Sequence, residues 1–316
     1  MKFLDMSQYD DYPKSLRKGK YLFIVCMLAL SLISFGVFYL GVNIQSILLA
    51  FKKFVGYAED GSEMYVWSWD NFRNIKIELT SGGNSSTQLL QAFKNSLFLF
   101  FAGNGVTIPT GCFISYYLWK KMRGYSFFSV IFYLPVILSS VVMVIMFRSF
   151  IAPNGFLGAM SIAIKGEPVP PWLSQEGSAM WCVFAYNTWV GFGGMYLLLT
   201  AALHRIPAEV IEAAQLDGIT PWKEFFHICV PLVWPTLSII LLQKVASILA
   251  ADGPILLLTN GNYGTYTLGF WSYMQVIVGH SYEFPAAVGI VMTLCVAPLA
   301  IGAWVIMSRI NKDVEY

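Results

Sequence analysis

EAAQLDGITPWKEFFHICVP runs from Glu212 to Pro231, and it lies in a polar loop between two long apolar segments. The residues just before and within this stretch, Ala208 to Leu216, are mostly good helix formers. Glu209 stands near the start of that run, where the helix dipole favours an acidic side chain. A short helix is therefore predicted from Ala208 to Leu216.

A glycine and a proline then divide the loop. Gly218 can end the first helix in a left-handed backbone conformation that other residues adopt at a cost. Thr220 followed by Pro221 is typical of a helix start, with Thr220 at the N-cap and Pro221 at the first helical position. The stretch predicts two short helices joined at a glycine.

The rest of the chain is strongly apolar. Of its 316 residues, 57% are hydrophobic and 12% are charged, which is more apolar than one soluble core can bury. A helix needs about 20 apolar residues to cross a bilayer. An all-α membrane protein is therefore predicted, with a tail over residues 1–20, a transmembrane domain over residues 21–316 and a loop at 204–229. The predicted spans are Tyr21 to Ala50, Ser96 to Trp119, Phe127 to Ile151, Ala179 to Leu203, Val230 to Ala251 and Pro285 to Ser308.

Lys and Arg residues indicate how these spans are oriented. They cluster before the first span and between the second and third, at Lys14, Arg17, Lys18, Lys20, Lys120, Lys121 and Arg123. Basic residues near span ends favour the cytoplasmic side, so both termini are expected there. The net charge of +2 then follows from membrane orientation and gives no reason to expect nucleic acid as a partner.

Several classes of function find no support in the residues. The five cysteines lack the spacing of a disulfide framework or a zinc site, and the chain has no GxxxxGK[ST] phosphate loop. No catalytic residue and no metal site are therefore predicted. The predicted spans contain no Asp or Glu, which an ion-driven secondary transporter would be expected to carry. The energy for any transport should come from a partner.

The polar loop has the features of a docking element. Ala213 and Ala214 leave a patch without bulk, so that a partner's backbone could approach closely. Glu212 and Asp217 offer carboxylates to cationic side chains of that partner. The alternative is an ordinary loop that contains a good helix former, and composition alone leaves both interpretations open.

The spacing of EAA, three residues, Gly218, nine residues, Ile228 and then Pro231 resembles the signature loop of permease subunits from binding-protein-dependent ABC importers. The carbohydrate branch of that family, of maltose and glycerol-phosphate type, is the most similar. Val230 departs mildly from the usual leucine. The resemblance spans about Tyr21 to Arg309, although GNYGTYT stands where the family often has Gly-Gly-Pro. Further similar segments are Ile206-Pro207-Ala208-Glu209, Trp69-Asp70-Asn71-Phe72, Asn95-Ser96, Tyr133-Leu134-Pro135, RSFIAPNGFL from Arg148 to Leu157, Trp172-Leu173 and LLTNG from Leu257 to Gly261.

This resemblance implies a type I ABC importer permease that is not itself an enzyme. It would form half of a translocation path in a bacterial-type cytoplasmic membrane, surrounded by lipid, with a second permease subunit expected to be a different chain. An external solute-binding protein would deliver a carbohydrate, and a separate dimer of ATP-binding cassette subunits would bind ATP and Mg²⁺. The residues implied in coupling to that ATPase are Glu209, Glu212, Ala213, Ala214, Asp217, Gly218, Ile228 and Pro231.

Substrate-path residues are predicted in the fourth and fifth spans. Amide and aromatic side chains together suit a sugar, and Asn187 and Trp189 stand just before the glycines of the fourth span. The alternative is that these glycines are helix-packing positions and that Trp189 faces lipid. The resemblance to maltose-type permeases favours Asn187, Gly191, Lys244, Ser247 and Ile248 as the contacting positions.

Lys244 bears on the type of solute. It lies about 20 Å along a helix from Pro231 at 1.5 Å per residue, which places it near the membrane midplane. A cation at that depth needs an anionic partner or a wet cavity. That partner is either a carboxylate of the second permease or an anionic group on the solute. The predicted cargo is an oligosaccharide, either neutral or acidic, and the alternative cargo is a glycerol-phosphate-type compound. The alternative class of protein is an ion-coupled secondary transporter.

Overall fold

The computed structural model describes residues 14–80, 86–248 and 254–310. Helices dominate these residues, and the only sheet among them is a two-stranded hairpin. In chain order the elements are α1 (Lys14–Ser34), α2 (Val42–Ala50), β1 (Lys52–Tyr57), β2 (Glu63–Trp67), α3 (Asp70–Thr80), α4 (Ser86–Trp119), α5 (Tyr125–Ile137), α6 (Ser140–Ile151), α7 (Phe156–Lys165), α8 (Ser178–Leu203), α9 (Ala208–Leu216), α10 (Pro221–Glu224), α11 (Val230–Ala246), α12 (Ile255–Leu258), α13 (Leu268–Ile277) and α14 (Glu283–Ile310). A π-helical segment, Phe35–Gly41, joins α1 to α2.

Among the described residues, six helical segments are long and apolar enough to cross a membrane, in agreement with the predicted number. They are Phe23–Ala50, Gln88–Trp119, Ser140–Lys165, Ser178–Leu203, Pro221–Ala246 and Glu283–Ile310. The second span begins earlier than predicted, because α4 already starts at Ser86. Of the predicted N-terminal tail, residues 1–13 lie outside the described part of the chain.

The described residues fall into two compact units, divided after Asn71, with Tyr282–Ala287 belonging to the first. The hairpin of the first unit was not predicted. Its strands pair antiparallel with Lys52 opposite Trp67 and an irregularity between Phe54 and Gly56. The buried Asn71 side chain stabilises the start of the hairpin. Its Nδ2 donates to the main-chain oxygens of Ala50 at 3.0 Å and Lys52 at 2.8 Å.

The predicted third span, Phe127 to Ile151, is wrong as one helix. Two helices, α5 and α6, cover it, and Leu138 between them is extended with φ −81° and ψ 150°. Ser139 starts α6 as an N-cap, its hydroxyl accepting from the Val142 amide at 3.4 Å. Pro135 lacks an amide hydrogen and so weakens the last turn of α5. The long apolar segment here is instead Ser140–Lys165, comprising α6 and α7.

The predicted fifth span, Val230 to Ala251, differs at both ends. Helical structure begins at Pro221 and continues through a π-helical segment, Phe225–Cys229, into α11. The helix ends at Ala246, with Ser247 in a turn. Residues 249–253 lie outside the described part of the chain, so the predicted end at Ala251 falls among them.

The core of the second unit is built around α4, α5 and α8, and glycines allow the helices to approach closely. A Cβ atom on Gly193 of α8 would lie 2.7 Å from the main-chain oxygen of Phe132 in α5. A Cβ atom on Gly111 of α4 would lie 2.7 Å from Met195 Sδ in α8. These contacts hold the fourth span against its neighbours and fix where its polar residues stand.

Candidate coupling loop and translocation path

The helix, glycine and helix predicted between the fourth and fifth spans are confirmed. The first helix, α9, has the predicted bounds, and Asp217 ends it in an α-helical conformation. Gly218 follows with φ +75°, in the left-handed region, and nothing lies within 4 Å of where its Cβ would be. Its requirement for glycine is therefore set by the backbone conformation, with no close neighbour involved.

Thr220 and Pro221 begin α10 as predicted, with Thr220 extended at the N-cap and Pro221 in the first turn. The Thr220 side chain makes no capping hydrogen bond, however, and it is the main-chain oxygen of Thr220 that accepts from the Glu224 amide at 2.9 Å. The fixed φ of proline thus contributes more to this start than the threonine hydroxyl does.

The loop stands on a buried apolar base. Ile211 of α9 and Phe225 after α10 are 8% and 4% exposed, and both belong to a hydrophobic cluster with Leu203 and Val233 from the adjoining spans. Cys229 in the same cluster is 1% exposed. The two short helices are therefore attached to the membrane helices by packing and do not hang from a flexible linker.

The opposite surface of the loop is open. Glu209, Glu212, Ala213, Asp217 and Gly218 are exposed, whereas Ala214 is half-buried. Leu216, at the end of α9, is 90% exposed, the largest value among the exposed hydrophobic side chains described. Of the remaining predicted coupling residues, Pro231 is exposed and Ile228 half-buried. An apolar side chain beside carboxylates on a rigid base fits a partner-binding surface.

One charged contact beneath the loop was not predicted. Lys120 Nζ, just after α4, lies 2.5 Å from Glu224 Oε1, and their side chains are 20% and 4% exposed. The Tyr116 hydroxyl lies 3.2 Å from the same oxygen and 3.3 Å from the main-chain oxygen of Pro221, so it shares one proton between them. The only sequence signal was a lysine among the basic residues after the second span, and nothing in the pattern named its partner.

Aromatic rings extend this contact along α4. Phe113 stacks on Phe225 with 4.6 Å between ring centroids, and it meets Trp222 edge-on at 5.4 Å and Phe226 at 5.8 Å. Tyr116 meets Phe225 at 5.2 Å. The cytoplasmic end predicted for α4 is thus joined to the second helix of the loop by both packing and charge.

The other end of α4 holds a loop between α12 and α13. Asn95 Nδ2 donates to the main-chain oxygens of Gly264 and Tyr266, each at 2.7 Å. Ser96 Oγ accepts from the Leu268 amide at 2.9 Å and so serves the first turn of α13. Asn95 and Ser96 were noted in the sequence only as part of the family resemblance, and these three hydrogen bonds give them a structural role.

The predicted substrate-path residues of the fourth span all lie in α8. Asn187 and Trp189 are half-buried, and Trp189 stacks on Phe147 of α6 with 6.2 Å between centroids. Trp189 therefore contacts α6 over part of its surface. Gly191 is a packing position, since a Cβ there would lie 3.2 Å from Thr107 Cγ2 of α4.

The remaining predicted path residues lie at the end of α11. Lys244 is half-buried in its last turn, Ser247 is exposed and donates to the Lys244 main-chain oxygen at 3.0 Å, and Ile248 is 6% exposed. Within the described part of the chain, no hydrogen bond joins the predicted path residues at the end of α11 to those on α8. A cavity of about 490 Å³ lies next to the end of α11, and Ala246, Leu268, Ser272, Met292, Thr293 and Ala300 are among its lining residues.

Residues 107–316 match the family described as binding-protein-dependent transport system inner membrane component. The chain is 26% identical to the osmoprotective compounds uptake permease protein GgtC of Synechocystis sp. over 220 residues, or 67% of this chain and 78% of GgtC. It is 30% identical to the alpha-glucoside transport system permease protein AglF of Rhizobium meliloti over 148 residues, 46% of this chain and 44% of AglF.

The maltose/maltodextrin transport system permease protein MalF of Escherichia coli is 28% identical over 192 residues, 60% of this chain. The match spans 36% of MalF and 44% of AglF, so this chain matches less than half of the length of each of these two relatives.

Two solved structures share the fold. A subunit of a bacterial ABC transporter involved in the import of the acidic polysaccharide alginate aligns with TM-score 0.76 at 23% identity, covering 95% of this chain and 99% of the other. The alginate transporter in complex with its pentasaccharide-bound periplasmic protein gives TM-score 0.78 at 23% identity, with 95% and 98% covered.

The six apolar spans and the two-helix loop agree with that fold, and the expected resemblance to permeases of binding-protein-dependent importers is confirmed. The chain is a multi-pass membrane protein and a member of the binding-protein-dependent transport system inner membrane component family.

Proposed function

We propose that this chain is one of two permease subunits of an ATP-driven importer that takes up an oligosaccharide. An external binding protein delivers the sugar, and a cytoplasmic ATPase dimer, which holds ATP and Mg²⁺, drives the cycle. Both chain termini lie in the cytoplasm, on the same side as the loop from residue 204 to 229. The second permease subunit is a different chain.

The observation that carries this proposal is the shape of the loop. α9 and α10 meet at Gly218 in a fixed left-handed turn, above a base in which Ile211 and Phe225 are buried. A short rigid protrusion transmits a rigid-body displacement from a partner better than a flexible segment does. The exposed Leu216 and the carboxylates of Glu212 and Asp217 supply the contacts that an ATPase cleft would make.

A carbohydrate cargo is supported by the relatives. AglF is named for alpha-glucosides, MalF for maltose and maltodextrin, and the two structural neighbours come from an alginate importer. Lys244 adds a reason to test an acidic sugar, because a half-buried cation at the end of a membrane helix calls for an anionic partner. Such a partner could be a uronate carboxylate on the solute or a carboxylate of the second permease.

Affinity purification of the tagged chain from its native membrane in mild detergent, followed by mass spectrometry, tests the assembly. We expect an ATP-binding cassette subunit and a second permease to be retained. A folded chain recovered alone would contradict the proposal. The purified complex, with its binding protein, is then assayed for ATP hydrolysis with neutral glucose oligosaccharides, acidic uronate oligosaccharides and glycerol phosphate. Stimulation by glycerol phosphate alone would favour the second candidate cargo.

A further inference from the structure

We propose that the ion pair between Lys120 and Glu224 is the joint that makes α4 move together with the coupling loop. The inference rests on the proposed function, and it assigns positioning roles to Lys120, Glu224 and Tyr116, none of which belongs to the signature motif of the loop. When the ATPase moves the coupling loop, the loop then displaces α4 directly.

One face of α4 makes all the contacts. Phe113 and Tyr116 are three residues apart and project from the same side of α4. Lys120 follows four residues later, just after the helix, and its amide still donates to the Tyr116 main-chain oxygen at 3.0 Å. Phe113 stacks on Phe225, the Tyr116 hydroxyl reaches Glu224, and Lys120 closes the ion pair. Each of these contacts is made to α10 or to the π-helical segment directly after it.

The ion pair resists displacement of α10 along α4 more strongly than the surrounding apolar packing does. Apolar contacts such as those around Phe225 and Ile211 are non-directional, so they define the position of α10 along α4 less sharply than a charge pair does. The Glu224 carboxylate is 4% exposed, and a charge at that burial is stable only while its partner stays in place. The 2.5 Å contact therefore fixes the position of α10 along α4, which the hydrophobic cluster alone would leave adjustable.

α4 connects the ion pair to a second loop, the one before α13, at its other end. α4 is one helix from Ser86 to Trp119, with Pro109 inside it, and Asn95 in its N-terminal part donates to the main-chain oxygens of Gly264 and Tyr266 in the loop before α13. A displacement delivered at Lys120 is carried to that loop by one helix. The geometry thus connects the surface that would bind the ATPase with a loop on the opposite side of the membrane.

The joint is tested by distance measurements between two spin labels in the complete transporter. One label replaces the exposed Gln215 of α9, and the other replaces the exposed Lys121 at the end of α4. In the wild-type background, we expect the same distance distribution without nucleotide and with ATP and vanadate. With Lys120→Met and Glu224→Gln combined, which removes both charges at once, we expect the distribution to shift or broaden on trapping. A wild-type distance that changes as much as that of the neutral pair would overturn the proposal.

A transport assay accompanies the distance measurement. It uses a neutral glucose hexasaccharide and an acidic uronate hexasaccharide as probes. In proteoliposomes, we expect sugar imported per ATP hydrolysed to fall at least about fivefold in the neutral pair. The reversed pair, Lys120→Glu with Glu224→Lys, should restore at least half of the wild-type ratio, and the control Arg123→Met, an exposed neighbouring cation, should leave it unchanged. An unchanged ratio in a folded neutral pair would reduce Lys120 and Glu224 to a purely structural contact.

The two proposals fail in different ways. If the wild-type chain retains no ATPase, the proposed function is lost before any variant is made. If the wild-type complex hydrolyses ATP and imports a probe while the neutral pair does both with the same ratio, the proposed function stands and the joint does not. Should the neutral pair fail to assemble, the wild-type measurement still tests the proposal, because a wild-type distance that changes on trapping would overturn it.

Discussion

Asn95 Nδ2 donates a hydrogen bond to the main-chain oxygen of Gly264 at 2.7 Å, although 169 residues separate the two in the chain. The same amide group reaches Tyr266, so one side chain at the start of the second span satisfies two carbonyls of a distant loop. Positive φ angles at Asn260, Gly261, Tyr263 and Gly264 show that this loop is tightly wound. Its conformation depends on a partner outside itself.

Replacing Asn95 by alanine should loosen that loop. Two carbonyl oxygens lose their donor, which costs about 1–3 kcal/mol for each one that water cannot reach. Hydrogen–deuterium exchange of residues 259–267 should accelerate about tenfold or more, since each 1.4 kcal/mol is a factor of ten. The control is Lys94→Ala, an exposed neighbour. Equal protection in both variants would show that the amide group of Asn95 does not hold the loop.

Two adjacent glycines in α8 should respond differently to the same change. A Cβ on Gly193 would lie 2.7 Å from the Phe132 oxygen and 2.8 Å from Val136 Cγ2, whereas nothing lies within 4 Å of one on Gly194. Gly193→Ala should therefore lower the free energy of unfolding by about 1–3 kcal/mol through overpacking against α5. Gly194→Ala should be neutral or slightly stabilising. Thermal unfolding in detergent compares them, and identical melting temperatures would refute the tight α5–α8 contact.

Gly218 gives a test of backbone conformation alone, because its site is open. At φ +75° a β-branched residue is strained by about 1–2 kcal/mol, so Gly218→Val should change the angle between α9 and α10 and reduce uptake. Asparagine tolerates the left-handed region, so Gly218→Asn should retain most of the activity. Normal uptake by Gly218→Val would mean that the turn is not needed in this conformation.

Lys244 should separate acidic from neutral cargo. If its ammonium meets an anionic group of the solute, Lys244→Met should lower uptake of an acidic oligosaccharide by about tenfold, equivalent to 1.4 kcal/mol, and affect a neutral one less. Gln243→Met, at the exposed neighbouring position, is the control. Uptake rates for both sugars that match wild type would remove Lys244 from solute recognition. An equal loss for both sugars would instead favour a bond to the second permease.

The membrane spans and the coupling loop were predictable because their signals are local. Long apolar runs mark the spans, and Gly218 with Thr220 and Pro221 marks two helices, whose first has the predicted bounds. The hairpin of β1 and β2 was missed, since its strands are short and lie in a loop whose alternation is weak. The break at Leu138 was missed because a single N-cap, Ser139, interrupts a continuous apolar run.

The contacts beneath the loop could not be predicted, for a different reason. Lys120 and Glu224 belong to separate elements, 104 positions apart by their numbers, and only the packing of α4 against α10 brings them together. The predicted fifth span, Val230 to Ala251, contains no carboxylate, but the apolar helical segment begins earlier, at Pro221, and so includes Glu224 of the loop. That carboxylate is paired with Lys120, which accounts for its burial.

The loop between the fourth and fifth spans is proposed to bind a cytoplasmic ATPase. A photo-activated cross-linking amino acid at Leu216, 90% exposed at the end of α9, tests it in intact cells. The same residue placed at Tyr263, 41% exposed in the loop held by Asn95, is the control. We predict that the Leu216 position links to the ATP-binding cassette subunit and that the Tyr263 position does not. An assembled transporter with no link at Leu216, or with an ATPase link at Tyr263, would contradict the assignment of this loop.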